Sequence, residues 1–117
     1  MQTSPRAELF AIVRALQTIA MVQAYCYQKR IIIYTDSRYC IDSITNWYKK
    51  WDRTGWINRR GKPVENKDYI QECRYYIDRL YVNVDLRYVP GHSGVIGNTI
   101  ADDLACRGAH KPRNMVN

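Results

Sequence analysis

Apolar positions recur at three-to-four spacing along the first part of the chain: Leu9, Val13, Leu16, Ala20 and then Gln23/Ala24, with Phe10 and Ile19 widening the stripe. That spacing predicts a long first helix over residues 6–28, with Thr3 or Ser4 as N-cap and Pro5 as its first residue. The pattern then changes. "RIIIYT", residues 30–35, is a continuous apolar run that reads as a strand buried on both faces, and it ends on Asp36. From Ser37, the positions Cys40, Ile41, Ile44, Trp47, Tyr48 and Trp51 give a second, bent helix. Residues 52–65, with Gly55, Gly61 and Pro63, read as a basic loop. Asn66 is placed to cap a further helix reaching about Leu80, with Ile70, Cys73, Tyr76, Ile77 and Leu80 inward. Val84, Leu86 and Tyr88 alternate with polar neighbours and predict a second strand over 83–89. "PGHSGVIGN" is a glycine-rich loop, followed by a short helix from Asn98 to Arg107 that Gly108 stops. The order α-β-α-α-β-α predicts an α/β fold with two parallel strands and about four helices. Residues 109–117 form a polar, basic tail expected to be frayed.

Length limits the chain to a single domain: 117 residues allow one modest core. No apolar run approaches the roughly 18–20 residues that cross a bilayer, so no membrane partner is expected. The opening "MQTSPRAELF" has neither the basic start nor the apolar stretch of a secretory signal. Cys26, Cys40, Cys73 and Cys106 are scattered, without a C-x-x-C pair, and read as reduced, packed thiols. These features together predict an intracellular protein of the nucleus or cytoplasm.

Charge adds a partner class. The net charge is +7 and the pI near 9.4, which favours polyanions, nucleic acid above all. The excess is concentrated: Lys49, Lys50, Arg53, Arg59, Arg60, Lys62 and Lys67 face only Asp52 and Glu65 within one stretch. Trp47 and Trp51, four apart, would share a helix face there.

Three carboxylates stand where packing does not ask for them. Glu8 falls in the first turn of the first helix, Asp36 ends the buried strand, and Asp102 opens the last helix. The helix dipole accounts for Glu8, Asp102 and Asp103 without any function, and a turn accounts for Asp36 if it accepts backbone hydrogen bonds. Their flanks change the balance. "RAEL" around Glu8, "YTDS" around Asp36 and "PGHSGVIGNTIADDLA" with His92 and Asp102 resemble, in order, the motifs of the type 1 ribonuclease H family. "ITNWYKKWDRTGW", residues 44–56, is similar to the tryptophan-bearing basic protrusion of its eukaryotic-type members. The resemblance spans residues 2–108, and several motifs at compatible spacing are far more specific than any one.

The resemblance implies hydrolysis of the RNA strand of an RNA–DNA hybrid by two Mg²⁺ ions, with Mn²⁺ as a substitute. Glu8, Asp36 and Asp102 would be metal ligands, which would explain a carboxylate at the end of a buried strand. His92 would assist proton transfer or product departure on a loop flexed by Gly91, Gly94 and Gly97. Trp47 and Trp51 would grip the DNA strand while Lys49, Lys50, Arg53, Arg59, Arg60 and Lys62 meet phosphates. Thr3 and Asn66 match positions of a phosphate pocket, and Asn98 a further contact to the hybrid.

One departure from the pattern sets a second expectation. The family carries a further catalytic aspartate on a strand ahead of "RAEL", and the seven residues before Glu8 hold no aspartate. Residues 1–108 are therefore expected to be a partial domain, lacking N-terminal strands and inactive or weak alone. "IIIY" would present an open edge suited to self-association or a partner chain. The alternative function is a non-catalytic nucleic-acid-binding or strand-complementing interaction module.

Overall fold

A computed structural model describes residues 4–22 and 30–91. Helix α1 spans Pro5–Val22 and strand β1 Arg30–Thr35. Helix α2 (Arg38–Asp42) runs through a π-helical turn (Ser43–Trp47) directly into α3 (Tyr48–Thr54). Helix α4 spans Lys67–Arg79 and strand β2 Asn83–Tyr88. The last helix expected from sequence, the tail and residues 23–28 of the first helix lie outside the described residues. Among the described residues, no helix is long and apolar enough to cross a membrane.

The two strands pair in parallel, Arg30 with Asn83 through Thr35 with Tyr88, as the helix-bearing crossover between them requires. Val89 N–H then donates to the Thr35 carbonyl at 2.8 Å, so both strands end level on one rim. On β1, Ile31, Ile33 and Thr35 are buried, while Ile32 and Tyr34 are half-buried. The run therefore alternates rather than being sealed on both faces, because its fully covered side is the one turned toward α1.

That side holds the core. Leu9, Ile12, Val13, Leu16 and Ile19 of α1 meet Ile31 and Ile33, Cys40 and Ile44, and Ile70 and Cys73 of α4. Full burial of such a side chain is worth roughly 1.5–3 kcal/mol. Ser4 caps α1, its Oγ accepting from the Ala7 N–H at 3.2 Å, and Pro5 follows where a missing N–H costs nothing. Cys40 and Cys73 are free and buried, as packed thiols. Burial pushes the Cys40 thiol up to about 11 and raises Cys73 further, which keeps both inert.

Three local expectations are corrected. Asn66 does not cap α4 with its side chain: it sits in the left-handed region (φ 62°), and only its carbonyl accepts from Ile70 N–H, at 3.0 Å. Tyr88 turns outward rather than into the core, with the Arg38 guanidinium 4.0 Å above its ring. The basic segment is an ordered fold-back: α3 covers its first three residues, and Ile57 bridges Pro63 in antiparallel sense. Gly55 and Trp56 take successive left-handed conformations (φ 72° and 63°), a cost that burial of the Trp56 ring and its indole N–H bond to Asp52 at 2.9 Å offset.

Candidate active site and nucleic-acid interface

The carboxyl end of β1, the first turn of α1 and the start of α2 converge on one point. Glu8 is almost fully buried (1% exposed), although it is a charged residue near a helix start. Thr35, the last residue of β1, donates its hydroxyl to Glu8 Oε2 at 2.9 Å and accepts from Ser37 N–H at 3.2 Å. Asp36 follows in the bend, half-buried, and Ser37 caps α2 by accepting from Cys40 N–H at 3.2 Å. The Cys40 thiol, which donates to the Pro5 carbonyl at 3.6 Å, closes the inner wall.

Burial, reinforced by the adjacent Asp36 carboxylate, pushes the Glu8 carboxyl above its ordinary value, and the Thr35 hydroxyl only partly opposes this. Among the described residues neither Glu8 nor Asp36 forms an ion pair. Two hard oxygen donors forced together, short of positive charge, suit a divalent cation. No cluster of three or more metal-type donors lies within the described residues. Asp102 and His92 lie outside them, as do Thr3 and Asn98.

A second surface lies along α3. The Trp47 and Trp51 rings stand edge to face, centroids 6.0 Å apart, so the shared helix face expected from their spacing is realised. Trp51 in turn leans on Trp56 at 5.5 Å. Trp47 remains 39% exposed. Trp47, Lys50, Trp51, Thr54, Ile57, Asn58, Arg59 and Arg60 line a cavity of about 450 Å³. Lys49, Arg53 and Lys62 are exposed but do not line it. Asn58 shapes the loop wall, its Oδ1 accepting from the N–H groups of Arg60 (2.9 Å) and Lys62 (3.0 Å).

Asn66 sits apart from the groove, its amide accepting from Arg6 at 3.2 Å and donating to the Tyr39 hydroxyl at 3.2 Å. Sequence reasoning missed Thr35, Tyr39, Thr54, Ile57 and Asn58. Thr35 carried a usable signal: it shares the period-two face of Ile31 and Ile33, so a hydroxyl there must find a buried acceptor.

Fold and site define a mixed α/β protein with coupled acidic side chains at the end of parallel strands and an aromatic, basic groove on a neighbouring helix. A family model described as RNase H matches residues 1–110, and the chain belongs to that family. It is 40% identical over 110 residues to Ribonuclease H1 of Rattus norvegicus, covering 92% of this chain and 36% of that protein. To Ribonuclease H of Alcanivorax borkumensis it is 38% identical over 106 residues, 91% of this chain and 65% of the relative. The crystal structure of LC9-RNase H1, a type 1 RNase H with the type 2 active-site motif, superposes with a TM-score of 0.61 at 26% identity. That superposition covers 93% of this chain and 50% of the other. The chain thus spans about a third of the length of the rat relative. The RNase H resemblance and the α/β architecture expected from sequence both hold.

Proposed function

We propose that this chain supplies catalytic carboxylates and a strand-gripping surface for endonucleolytic hydrolysis of the RNA strand of an RNA–DNA hybrid. One observation carries the reading. Buried Glu8 and half-buried Asp36, distant in sequence, meet at one point where packing alone would penalise two carboxylates. The donor set fits Mg²⁺, with Mn²⁺ as a substitute, and Glu8 and Asp36 would hold it, joined by Asp102. Two such ions, when bound, supply activation of the attacking water and stabilisation of charge on the leaving 3′ oxygen.

The chain's own groups do the positioning. Thr35 fixes one oxygen of Glu8, and the burial that holds Glu8 beside Asp36 keeps both poised for a cation. Trp47 and Trp51 offer stacking faces to the DNA strand, with Lys50, Arg59 and Arg60 beside its phosphates and Lys49, Arg53 and Lys62 further out. Asn66, with Thr3 and Asn98, contacts the hybrid, and His92 assists proton transfer or product departure.

The test is a labelled RNA–DNA hybrid incubated with the protein and Mg²⁺. Mg²⁺-dependent cleavage lost in Asp36→Asn supports the reading. Tight hybrid binding with no cleavage, indifferent to Mg²⁺, replaces it with a non-catalytic binding module.

A second reading has its own observation: among the described residues β1 pairs on one side only. An added strand from another chain at that edge would complete the sheet. Sedimentation velocity across a concentration series tests it, a monomer at every concentration removing self-association.

A further inference from the structure

Resting on the nucleic-acid interface proposed above, we propose that Tyr39 is a positioning residue that fixes Asn66 and the tryptophan groove as one rigid footprint for a single nucleic-acid strand. Tyr39 lies in the first turn of α2, half-buried, between the two surfaces. Its ring packs edge-on against Trp47, centroids 6.1 Å apart at 65°. Its hydroxyl accepts from the Asn66 amide at 3.2 Å and makes a longer bond, 3.4 Å, to the Glu65 carbonyl. One side chain therefore touches both surfaces, the ring on one and the oxygen on the other.

Asn66 is held from its other end as well. Its amide oxygen accepts from Arg6, and Arg6 is itself fixed by two bonds to Asp68 (3.1 and 2.7 Å) and by stacking 4.2 Å above Tyr69. With both polar ends engaged, one Asn66 amide N–H has no partner among the described residues, and the group is oriented before any ligand arrives. This spends on folding an ordering cost that would otherwise fall on binding. Its backbone is left-handed and its side chain makes no cap bond to α4, bonding Tyr39 and Arg6 instead. Between Asn66 and the Trp47/Trp51 pair the chain runs through the whole 55–65 fold-back, so the Tyr39 contact is a direct spatial tie to the aromatic side of the groove where the covalent path is long.

The experiment is a double-mutant cycle read by fluorescence anisotropy with a labelled RNA–DNA hybrid. Trp47→Ala and Asn66→Ala are combined in the Tyr39 protein and again with Tyr39→Phe, which keeps the ring and removes only the hydroxyl. In the Tyr39 protein the combined loss of affinity should differ from the product of the single losses by at least about threefold. Tyr39→Phe alone should weaken binding and should make the two losses multiply independently. A coupling unchanged by Tyr39→Phe, or absent from the outset while each single variant weakens binding, overturns the tie and leaves the interface standing. Single variants that both bind hybrid as the parent does would overturn the interface itself, and this inference with it.

Discussion

The carboxylate site and the tryptophan groove solve opposite problems. Glu8 is hidden, clamped by a threonine hydroxyl and set against a like charge, so its environment is costly for a carboxylate. Trp47, Lys50, Arg59 and Arg60 are exposed and built on a helix and a fold-back loop, so their cost is low. Under the proposed function, the first region stores unfavourable electrostatics for chemistry while the second offers area and charge for grip. Substitutions should therefore separate cleavage from binding.

The largest separation is expected from Glu8→Gln, which keeps shape and removes the charge. Mn²⁺ affinity, followed by calorimetry, should fall by well over tenfold and any Mg²⁺-dependent hybrid cleavage should be lost, while anisotropy shows hybrid affinity little changed. Trp51→Ala should do the converse. It removes a stacking face worth about 1–3 kcal/mol per base, so affinity for hybrid drops roughly tenfold or more while Mn²⁺ binding, followed by calorimetry, stays intact. Equal losses of both properties in either variant would erase the distinction between the two regions.

Thr35→Val sharpens it further. The hydroxyl that orients Glu8 disappears, and apparent affinity for Mn²⁺ should weaken about tenfold, the lower end for a group acting through a ligand. The smallest effect is on stability. Because the folded-state value of Glu8 is raised above its ordinary 4.5, the folded protein binds its proton more tightly than the unfolded chain. The associated stability is complete below the ordinary value and is lost as pH rises through the folded one. Melting temperature in chelator should therefore decline with rising pH over that window. Glu8→Gln should flatten the decline, and added Mn²⁺ should reverse it at the upper end.

Much of this was readable from sequence where one physical rule dominated. The spacing of Leu9, Val13 and Leu16 announced α1, and "RIIIYT" announced β1 because a short run of branched and aromatic residues packs best on a pleated surface. Ser4 and Pro5 marked a helix start by the same local logic. The parallel pairing followed from the helices between the strands. Glu8 and Asp36 could be named as partners only through the family resemblance, since nothing local says that two segments 27 residues apart share a hydrogen bond between Thr35 and Glu8.

Where several rules competed, local reading failed. Asn66 has the chemistry of a cap, yet contacts with Tyr39 and Arg6 outweigh that use. Trp56 looked like part of a polar loop, but its ring is the loop's anchor, and a left-handed tryptophan is a choice only tertiary packing can stabilise. Tyr88 fitted the alternation of β2, yet stacking beneath Arg38 offered it an outward alternative. For Asn66 and Tyr88 the deciding contact is distant along the chain, whereas Trp56 is held by Asp52 and Trp51, four and five residues before it.

The wide turn at Ser43–Trp47 has a bearing on how this helix tolerates indels. A π-turn holds one residue more than an α-turn of nearly the same sweep, so excising one residue there would let the coil close into regular helix while everything downstream keeps nearly its facing. Trp51 and Lys50 would stay beside Arg59 and Arg60 in the groove. Excising Lys49 from α3, which has no such surplus, would instead swing both by about 100° around the axis.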